Sequence, residues 1–229
     1  MRRVTRHEWS KVLRCPRRAA GLLRLGGCAA IFAFLSGLLS GCAYVNGNFR
    51  EVERGAYYRS GQLDAALLDL RIRNHGIRTV VNLDGARRTG KRNVLASALC
   101  EEHGVAHYTL EWSMQRPPDP ESLQLFVTIL REAERPVLVH CHGGVHRAAI
   151  AAACYRLMQG ESVDAARGEL GLFFNNAPIG QLIELYAESG TPFNQWAFEY
   201  YPAQYDALGL EDANARTTRP NLRASRSVE

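Results

Sequence analysis

Three features are scarce or missing in this 229-residue chain, and each absence argues against a class of protein. The most apolar stretch, residues 28–39, is short for a helix that must cross a bilayer. No Cys-x-x-Cys pair occurs among the six cysteines, which argues against a structural zinc site. Residues 1–41 contain eight of the 28 basic residues and one of the 23 acidic ones, which leaves 20 and 22 for the remainder. A body without excess positive charge is not that of a general nucleic-acid binder.

The first 41 residues, by contrast, are typical of a secretion signal. An arginine-rich segment precedes the apolar stretch, as in signal peptides. The Leu-Ser-Gly-Cys motif at residues 39–42 follows it and resembles a bacterial lipobox, in which the cysteine is lipidated and becomes the new N-terminus. The sequence therefore predicts a signal peptide over residues 1–41 and a lipid anchor on Cys42, which would attach the protein to a membrane.

The residues around this motif bear on location and redox state. Ala43 follows the lipobox cysteine, and by resemblance to Gram-negative lipoproteins this favours the outer membrane, with the protein facing the periplasm. The alternative is an uncleaved N-terminal helix that anchors the chain in the inner membrane. The body of the chain retains only Cys100, Cys141 and Cys154, which are too few for a disulfide framework.

The body alternates between helical and strand-like segments before it becomes all-helical. Three times a segment with helical spacing is followed by an apolar run. The pairs are 64–76 with 77–83, 93–104 with 105–112, and 118–135 with 136–140. Helical patterns then follow at 147–159, 162–172, 178–189 and 192–206. This order predicts an α/β fold with a mostly parallel central sheet flanked by helices and a helical C-terminal half. The predicted domain spans residues 48–208, after a tether at 42–47 and before a disordered tail at 209–229.

Residues 140–147, His-Cys-His-Gly-Gly-Val-His-Arg, join the third predicted strand to a helix and have the chemistry of an anion site. The first N–H groups of a helix lack partners and attract anions, and two glycines let the backbone direct further N–H groups inward. Arg147 can direct two donors onto two oxygens, and Cys141 in this positive field would be a thiolate nucleophile. The predicted phosphate-binding residues are His142, Gly143, Gly144, Val145, His146 and Arg147.

This stretch resembles the His-Cys-x-x-Gly-x-x-Arg signature of cysteine-dependent phosphatases through His140, Cys141, Gly144 and Arg147. The resemblance extends over most of residues 48–190 to the atypical dual-specificity phosphatases of plants and fungi and their bacterial relatives. The segments that carry it are 49–62, 76–85, 135–147 and the helices beyond. The resemblance implies a phosphocysteine intermediate, no metal and no cofactor.

The chain departs from this family directly after the arginine. These enzymes usually have Ser or Thr there, whose hydroxyl helps the cysteine leave when water attacks the intermediate, whereas this chain has Ala148. Loss of one charge-assisted hydrogen bond would cost about 1.5–3 kcal/mol and slow the second step by roughly ten- to a hundredfold. Ala148 therefore bears on turnover and not on binding or the first attack.

The general acid that protonates the leaving group has three alternatives. Asp119, in the Arg-Pro-Pro-Asp-Pro segment, is the first choice, although Asp before Pro is also a typical helix N-cap. Glu111 is the second, because the wider superfamily has an Asp about thirty residues before the cysteine and Glu111 occupies that place. The third is that no side chain has this role, which suits a good leaving group such as phosphate.

Other residues receive weaker assignments. His140 is expected to orient the loop by hydrogen bonding and not to titrate in catalysis. Four cations after the first predicted strand are expected either to grip a polyanionic substrate or to form a solvated loop: Arg87, Arg88, Lys91 and Arg92. Three aromatic residues are expected in the core: Phe173, Phe174 and Trp196.

Together these features predict a membrane-anchored, cysteine-dependent phosphatase that hydrolyses phosphate monoesters. Its substrate would be phosphotyrosine, phosphoserine or phosphothreonine, or an inositol polyphosphate or pyrophosphate. A non-catalytic phosphate-binding pseudophosphatase is the main alternative, favoured by Ala148 and by the missing clear acid. A thiol-transfer enzyme of the rhodanese type is a weaker one, because Arg147 opening a helix favours phosphate over persulfide.

Overall fold

The computed structural model describes residues 46–210, apart from the side chains of residues 86–89. Within this range the strands are β1 (Arg50–Glu53), β2 (Tyr57–Ser60), β3 (Thr79–Asn82), β4 (Ala106–Thr109) and β5 (Val137–His140). They form one sheet in the order β1-β2-β5-β3-β4. Strands β2, β5, β3 and β4 are parallel, and β1 pairs antiparallel with β2 at one edge. The prediction of an α/β fold with a mostly parallel central sheet is confirmed.

Helices connect these strands and make up most of the rest of the described chain. The helices are α1 (Ala65–His75), α2 (Gly85–Glu102), α3 (Pro120–Glu132), α4 (Arg147–Met158), α5 (Val163–Gly168), α6 (Gln181–Ala187), α7 (Phe193–Glu199) and α8 (Tyr201–Ala207). Two short 3-10 turns, Leu172–Phe174 and Pro178–Gly180, lie between α5 and α6. The described chain from residue 147 onward therefore consists of helices and turns, which confirms the predicted helical C-terminal half.

The register of the sheet brings three strand ends to the same level. Ser60 at the end of β2 and Asn82 at the end of β3 both lie beside His140, the last residue of β5. In open α/β sheets, ligands bind in the crevice beyond the carboxyl ends of the parallel strands. The loop between β5 and α4 lies at this edge, between the segments that follow β2 and β3.

The sheet separates a large core from a smaller one. Helix α4 lies in the large core, where the small side chains of residues 148–154 are fully buried. The smaller core on the other face is formed around α1 and α2, with Leu68, Ile72 and Cys100 among its residues. Strand β5 contributes to both cores, Val139 to the large one and Leu138 to the small one, so the start of the loop is fixed from both sides.

The structure differs from the sequence prediction in three places. Strands β1 and β2 were not predicted, because their residues, Arg-Glu-Val-Glu and Tyr-Tyr-Arg-Ser, include charged side chains and contain no aliphatic run such as Val-Leu-Val in β5. Helix α2 begins at Gly85 and not near residue 93, since a kink at Gly90, with φ of 44°, joins two helical pieces. The last predicted helix is divided into α7 and α8, and Pro202 lies in the first turn of the second.

One aromatic residue was assigned wrongly to the core. Phe174 and Trp196 are buried, but the side chain of Phe173 is 72% exposed. The three-residue turn that contains it begins after Gly171 and ends before Asn175, both of which have positive φ angles. So short a turn directs Phe174 inward and leaves its neighbours Leu172 and Phe173 at the surface.

Part of the sequence prediction lies outside the described residues. This applies to the signal peptide over residues 1–41, to Cys42 and to the tail from residue 211 onward. Among residues 46–210, no helix has both the length and the apolar character that crossing a bilayer requires.

Candidate active site

The loop between β5 and α4 surrounds the thiol of Cys141. The side chain of Cys141 is buried, and its Sγ accepts a hydrogen bond from the backbone N–H of Gly144 at 3.3 Å. The backbone N–H of Cys141 donates to the carbonyl of Ser60, 3.3 Å away. The loop thus turns back over its first residue, and a backbone donor points at the sulfur, as an anion site requires.

The segment on the β2 side holds the outer half of the loop. The backbone N–H of Gln62 donates to the carbonyl of His142 at 2.9 Å. The side-chain amide of Asn48 donates to the carbonyl of Gly143 at 3.1 Å. Because these two carbonyls are held by donors outside the loop, they face away from the site and leave the loop N–H groups free to face an anion.

Gly144 makes the closest backbone approach in this region. Its φ angle is 70°, and a Cβ atom at this position would lie 2.5 Å from the backbone nitrogen of Gly61 and 2.7 Å from the carbonyl carbon of Ser60. Both contacts are with backbone atoms that cannot move aside as a flexible side chain can. Only glycine fits this turn, for reasons of both conformation and space.

Arg147, the first residue of α4, is buried and held by the β3 side of the site. Its Nη1 atom donates to the carbonyl of Trp112 at 3.2 Å and to that of Leu83 at 3.4 Å. The same atom forms an ion pair with Oδ1 of Asp84 at 2.5 Å. All of these contacts use Nη1, so the Nε–Nη2 edge of the guanidinium is the one available to bind two oxygens of a phosphate.

Asp84 is the functional residue that the sequence prediction missed. It directly follows Leu83 at the end of β3, and its side chain is buried. Its backbone N–H donates to Oδ1 of Asn82 at 2.8 Å, and its Oδ2 lies 3.6 Å from Nδ1 of His142. One carboxylate therefore contacts both Arg147 and the residue after the nucleophile. A buried apolar run that ends in Asp at the carboxyl edge of a parallel sheet is a signal that could have identified it.

The two candidate general acids have different surroundings. Asp119 is the N-cap of α3, and its carboxylate accepts the backbone N–H of Ser122 at 2.9 Å. Glu111 pairs through its backbone with Asp84, and its side chain lies against Gly85. Glu111 therefore borders the segment that contacts Arg147, whereas the described contact of Asp119 is that of a helix cap. The choice between them remains a prediction.

The histidines of the loop region differ in environment. Burial is the main cause that lowers the pKa of His140 to about 3, with nearby His107 adding to the effect, so His140 is neutral at pH 7. The ring of His146 lies 5.7 Å from that of Phe174. His142 is 69% exposed. Of the three, His142 is the one whose ring is open to solvent at the mouth of the loop.

A second buried arginine lies close to the loop. Arg59, in β2, is beside Val139 in the sheet and is only 5% exposed. Its Nη2 is 3.7 Å from Oε2 of Glu169. Burial lowers the pKa of Arg59, while Glu169 and, more weakly, Cys141 act in the opposite direction. This cation adds to the positive field beneath the loop.

The remaining predicted residues have surroundings that the structure describes only in part. Lys91 and Arg92 are exposed, and the side chains of Arg87 and Arg88 lie outside the described part of the chain. Ala148 is fully buried at the start of α4. Burial raises the pKa of the Cys100 thiol to about 12 and also raises that of Cys154, so both remain protonated near neutral pH.

Comparison with known proteins places this geometry in a family. The family model described as "DSP-PTPase phosphatase fused to NAD+ Kinase" matches residues 42–181. No curated protein matches the chain significantly.

Several solved structures resemble the chain. The catalytic core of the PP-IP phosphatase SIW14 from S. cerevisiae is 17% identical over 72% of this chain and 93% of that one, with a TM-score of 0.47. A DUF442 protein from Shewanella putrefaciens is 19% identical over 62% of this chain and 88% of that one, with a TM-score of 0.49. TpbA from P. aeruginosa is 24% identical over 65% and 86%, with a TM-score of 0.44. Because the family model covers more than half of the chain and the whole loop from Cys141 to Arg147, this chain belongs to the DSP-PTPase phosphatases, within the superfamily of cysteine-dependent phosphatases.

Proposed function

We propose that this phosphatase hydrolyses phosphate monoesters through a covalent phosphocysteine intermediate. The arrangement of Arg147 supports this function most directly. Its Nη1 is occupied by Leu83, Asp84 and Trp112, which leaves the Nε–Nη2 edge to bind two phosphate oxygens beside the thiol.

In the first step, the thiolate of Cys141 attacks phosphorus and forms the S–P bond. The P–O bond to the leaving group breaks, and its electron pair goes to the leaving oxygen. The loop N–H groups and Arg147 donate hydrogen bonds to the three equatorial oxygens, where negative charge is concentrated in the transition state. The leaving oxygen needs a proton when the alcohol is a poor leaving group.

In the second step, water attacks the phosphorus of phosphocysteine and the S–P bond breaks. The bonding pair returns to sulfur, so Cys141 is again a thiolate and inorganic phosphate is released. The backbone N–H of Gly144, which lies 3.3 Å from the sulfur, stabilises the charge that returns there. No side-chain hydroxyl is available at position 148 to assist.

The experiment that tests this function is turnover of 4-nitrophenyl phosphate by the purified protein, with Cys141→Ser as the control variant. Wild type should release phosphate, and Cys141→Ser should lose all but a few per cent of the rate while it still binds vanadate, since Arg147 and the backbone remain. Binding of vanadate without turnover by wild type would favour the pseudophosphatase. A panel of phosphotyrosine peptide, phosphoserine peptide and inositol hexakisphosphate then identifies the substrate class.

The second part of the proposal is the anchor. The arginine-rich segment, the apolar stretch and the Leu-Ser-Gly-Cys motif support lipidation of Cys42 and an outer-membrane lipoprotein that faces the periplasm. Intact-mass analysis of the membrane fraction should show a chain that begins at lipid-modified Cys42, and Cys42→Ala should leave an unprocessed precursor. A wild-type mass that retains residues 1–41 would instead support the N-terminal anchor helix.

A further inference from the structure

We propose that His142 is the general acid of the reaction and that Asp84 is the residue that positions it. This assignment rests on the proposed phosphatase function and adds to it the source of the leaving-group proton. It differs from both acids that the sequence indicated, Asp119 and Glu111.

The geometry of Asp84 carries the inference. Its Oδ1 is 2.5 Å from Nη1 of Arg147, and its Oδ2 is 3.6 Å from Nδ1 of His142. One carboxylate therefore lies between the phosphate-binding arginine and the imidazole, with one oxygen near each. The side chain of Asp84 is 1% exposed, whereas that of His142 is 69% exposed, so the anion is fixed and the ring is accessible to a ligand.

The separation of 3.6 Å is an ion-pair distance and is longer than a hydrogen bond. Catalytic hydrogen bonds are often long in a free enzyme and tighten when the substrate binds. The His142 side chain is 69% exposed, so its ring has room to turn toward Asp84. With Nδ1 directed at Asp84, the opposite nitrogen, Nε2, is free to act on the substrate, and a carboxylate on one ring nitrogen stabilises the imidazolium form.

The alternative acids are less suited to the task. Asp119 accepts the N–H of Ser122 as the N-cap of α3, so its described side-chain contact is with that helix and not with the loop. Glu111 is exposed, and among the described residues its side chain lies against Gly85 and not against the loop. His140 is buried and neutral at pH 7, so it does not supply a proton. His142 alone among these four combines exposure, a loop position next to Cys141 and a fixed anionic partner.

The proton transfers balance over both steps. As the thiolate of Cys141 forms the S–P bond and the P–O bond breaks, Nε2 of the His142 imidazolium gives its proton to the leaving oxygen and becomes neutral. In the second step the neutral ring accepts a proton from the attacking water, the S–P bond breaks and the thiolate returns. His142 ends the cycle as imidazolium, and no other reactant is needed.

The test compares two esters that differ in leaving group, 2,4-dinitrophenyl phosphate and phenyl phosphate, with the full-length protein. A general acid matters for the poor phenol leaving group and little for dinitrophenol. His142→Asn and His142→Gln should therefore lose about 100-fold in kcat/KM, which reports the step in which the leaving group departs, on phenyl phosphate and about threefold or less on the dinitrophenyl ester. Asp84→Asn should change the ratio of the two kcat/KM values in the same direction.

The chain offers a matched control in a second His–Asp pair. Nε2 of His103 is 2.8 Å from Oδ1 of Asp69, on α1, and this pair does not involve the loop. His103→Asn should leave both rates unchanged.

Equal losses in kcat/KM on the two esters in the His142 variants would mean that this residue only contacts phosphate, and would overturn the assignment. So would a loss confined to phenyl phosphate in Glu111→Gln or Asp119→Asn but not in His142→Asn. Wild-type protein that hydrolyses neither ester would overturn the phosphatase function as well, so failures of the two proposals are distinguishable.

Discussion

The two sides of the Cys141 loop are held in different ways. On the β2 side, the contacts are backbone or amide hydrogen bonds, from Gln62 to His142 and from Asn48 to Gly143, together with the close approach of Gly144 to Gly61. On the β3 side, the main contact is an ion pair that joins Asp84 to Arg147. The β2 side therefore fixes the shape of the loop, and the β3 side fixes the position and charge of the groups that act on the substrate.

This difference predicts that substitutions on the two sides will impair different properties of the site. A change on the β2 side displaces backbone N–H groups, which affects every ligand that the loop binds. A change on the β3 side leaves the backbone of the loop in place but alters the charge around Arg147 and His142. Substitutions on the two sides should thus differ in their effects on stability, on phosphate binding and on leaving-group dependence.

The largest effect is expected from Gly144→Ala. The new Cβ atom would lie 2.5 Å from the nitrogen of Gly61 at a φ angle of 70°, so the loop must move away from β2. Displacement of reacting groups by about 1 Å can cost roughly 100-fold, and we expect at least that loss in kcat/KM on both aryl esters. Gly143→Ala is the matched control, because a Cβ there meets no atom within 4 Å, and its loss should be much smaller. Equal losses would show that the contact with Gly61 does not set the shape of the loop.

The second largest effect is expected from Asp84→Asn. It leaves Arg147 buried without its anionic partner, and breaking a buried ion pair in this way costs about 3–5 kcal/mol. The free energy of unfolding, measured with urea, should fall by an amount of this order. Added phosphate should restore more stability to the variant than to wild type, since the Nε–Nη2 edge of Arg147 binds an anion more tightly when Asp84 no longer offsets the charge of the guanidinium.

Asp69→Asn provides the comparison for that experiment. Asp69 pairs with His103 and Arg73 outside the site, where ion pairs contribute about 0–1 kcal/mol. Its effect should be small and insensitive to phosphate. If Asp84→Asn behaves like Asp69→Asn, the ion pair with Arg147 does not stabilise the site.

The contrast between the two sides also explains what could be predicted from the sequence. Cys141, Gly144 and Arg147 lie within seven consecutive residues, and their spacing alone indicates an anion-binding loop between a strand and a helix. The alternation of helices and strands from residue 64 onward likewise predicts the parallel sheet, because an apolar run follows a segment with helical spacing three times.

The partners of the loop were not predictable in the same way. Asn48 is 95 residues from Gly143, and Asp84 is 63 residues from Arg147, so only the register of β2, β3 and β5 brings them together. Strand β2 itself was not predicted, and without it Asn48 has no assigned place. Asp84 could have been predicted by a simpler rule, because polar residues that follow buried parallel strands commonly face the ligand site.

The third largest effect is expected at Ala148, the second residue of α4, which belongs to neither side of the loop. Its side chain is fully buried, so serine, the smaller hydroxyl residue, is the appropriate substitution. Ala148→Ser should raise the steady-state rate by roughly tenfold, because the hydroxyl can donate to the departing sulfur, and leave the first burst of product nearly unchanged. Rapid mixing with 4-nitrophenyl phosphate measures both phases. The control is Ala149→Ser, which adds the same hydroxyl at the next buried position.

The absence of a burst in wild type, together with an unchanged steady state in Ala148→Ser, would mean that formation of the phosphocysteine is the slow step. That result would contradict the role assigned to position 148 and would shift attention to the general acid. A gain shared by Ala149→Ser would show that the effect comes from packing and not from a hydrogen bond to Cys141.

The smallest effect is expected from Asn48→Ala, which removes the 3.1 Å hydrogen bond to the carbonyl of Gly143. One such bond contributes about 1 kcal/mol, so kcat/KM should fall by roughly fivefold on both aryl esters, mainly through KM. Asn48 also accepts a hydrogen bond from Nε of Arg50, and Arg50→Gln tests whether that contact matters by itself. A loss that depends on the leaving group would place Asn48 with the residues of the β3 side.

Combining Asn48→Ala with Asp84→Asn asks whether the two sides are independent. Asn48 acts on the backbone of the loop and Asp84 on the side chains of Arg147 and His142, so their effects on phosphate binding should add to within about 0.5 kcal/mol. His142 is contacted by both sides, through its carbonyl by Gln62 and through its ring by Asp84. A larger coupling energy in the double mutant would therefore mean that the loop transmits strain through His142, and that its shape and its charge are set together.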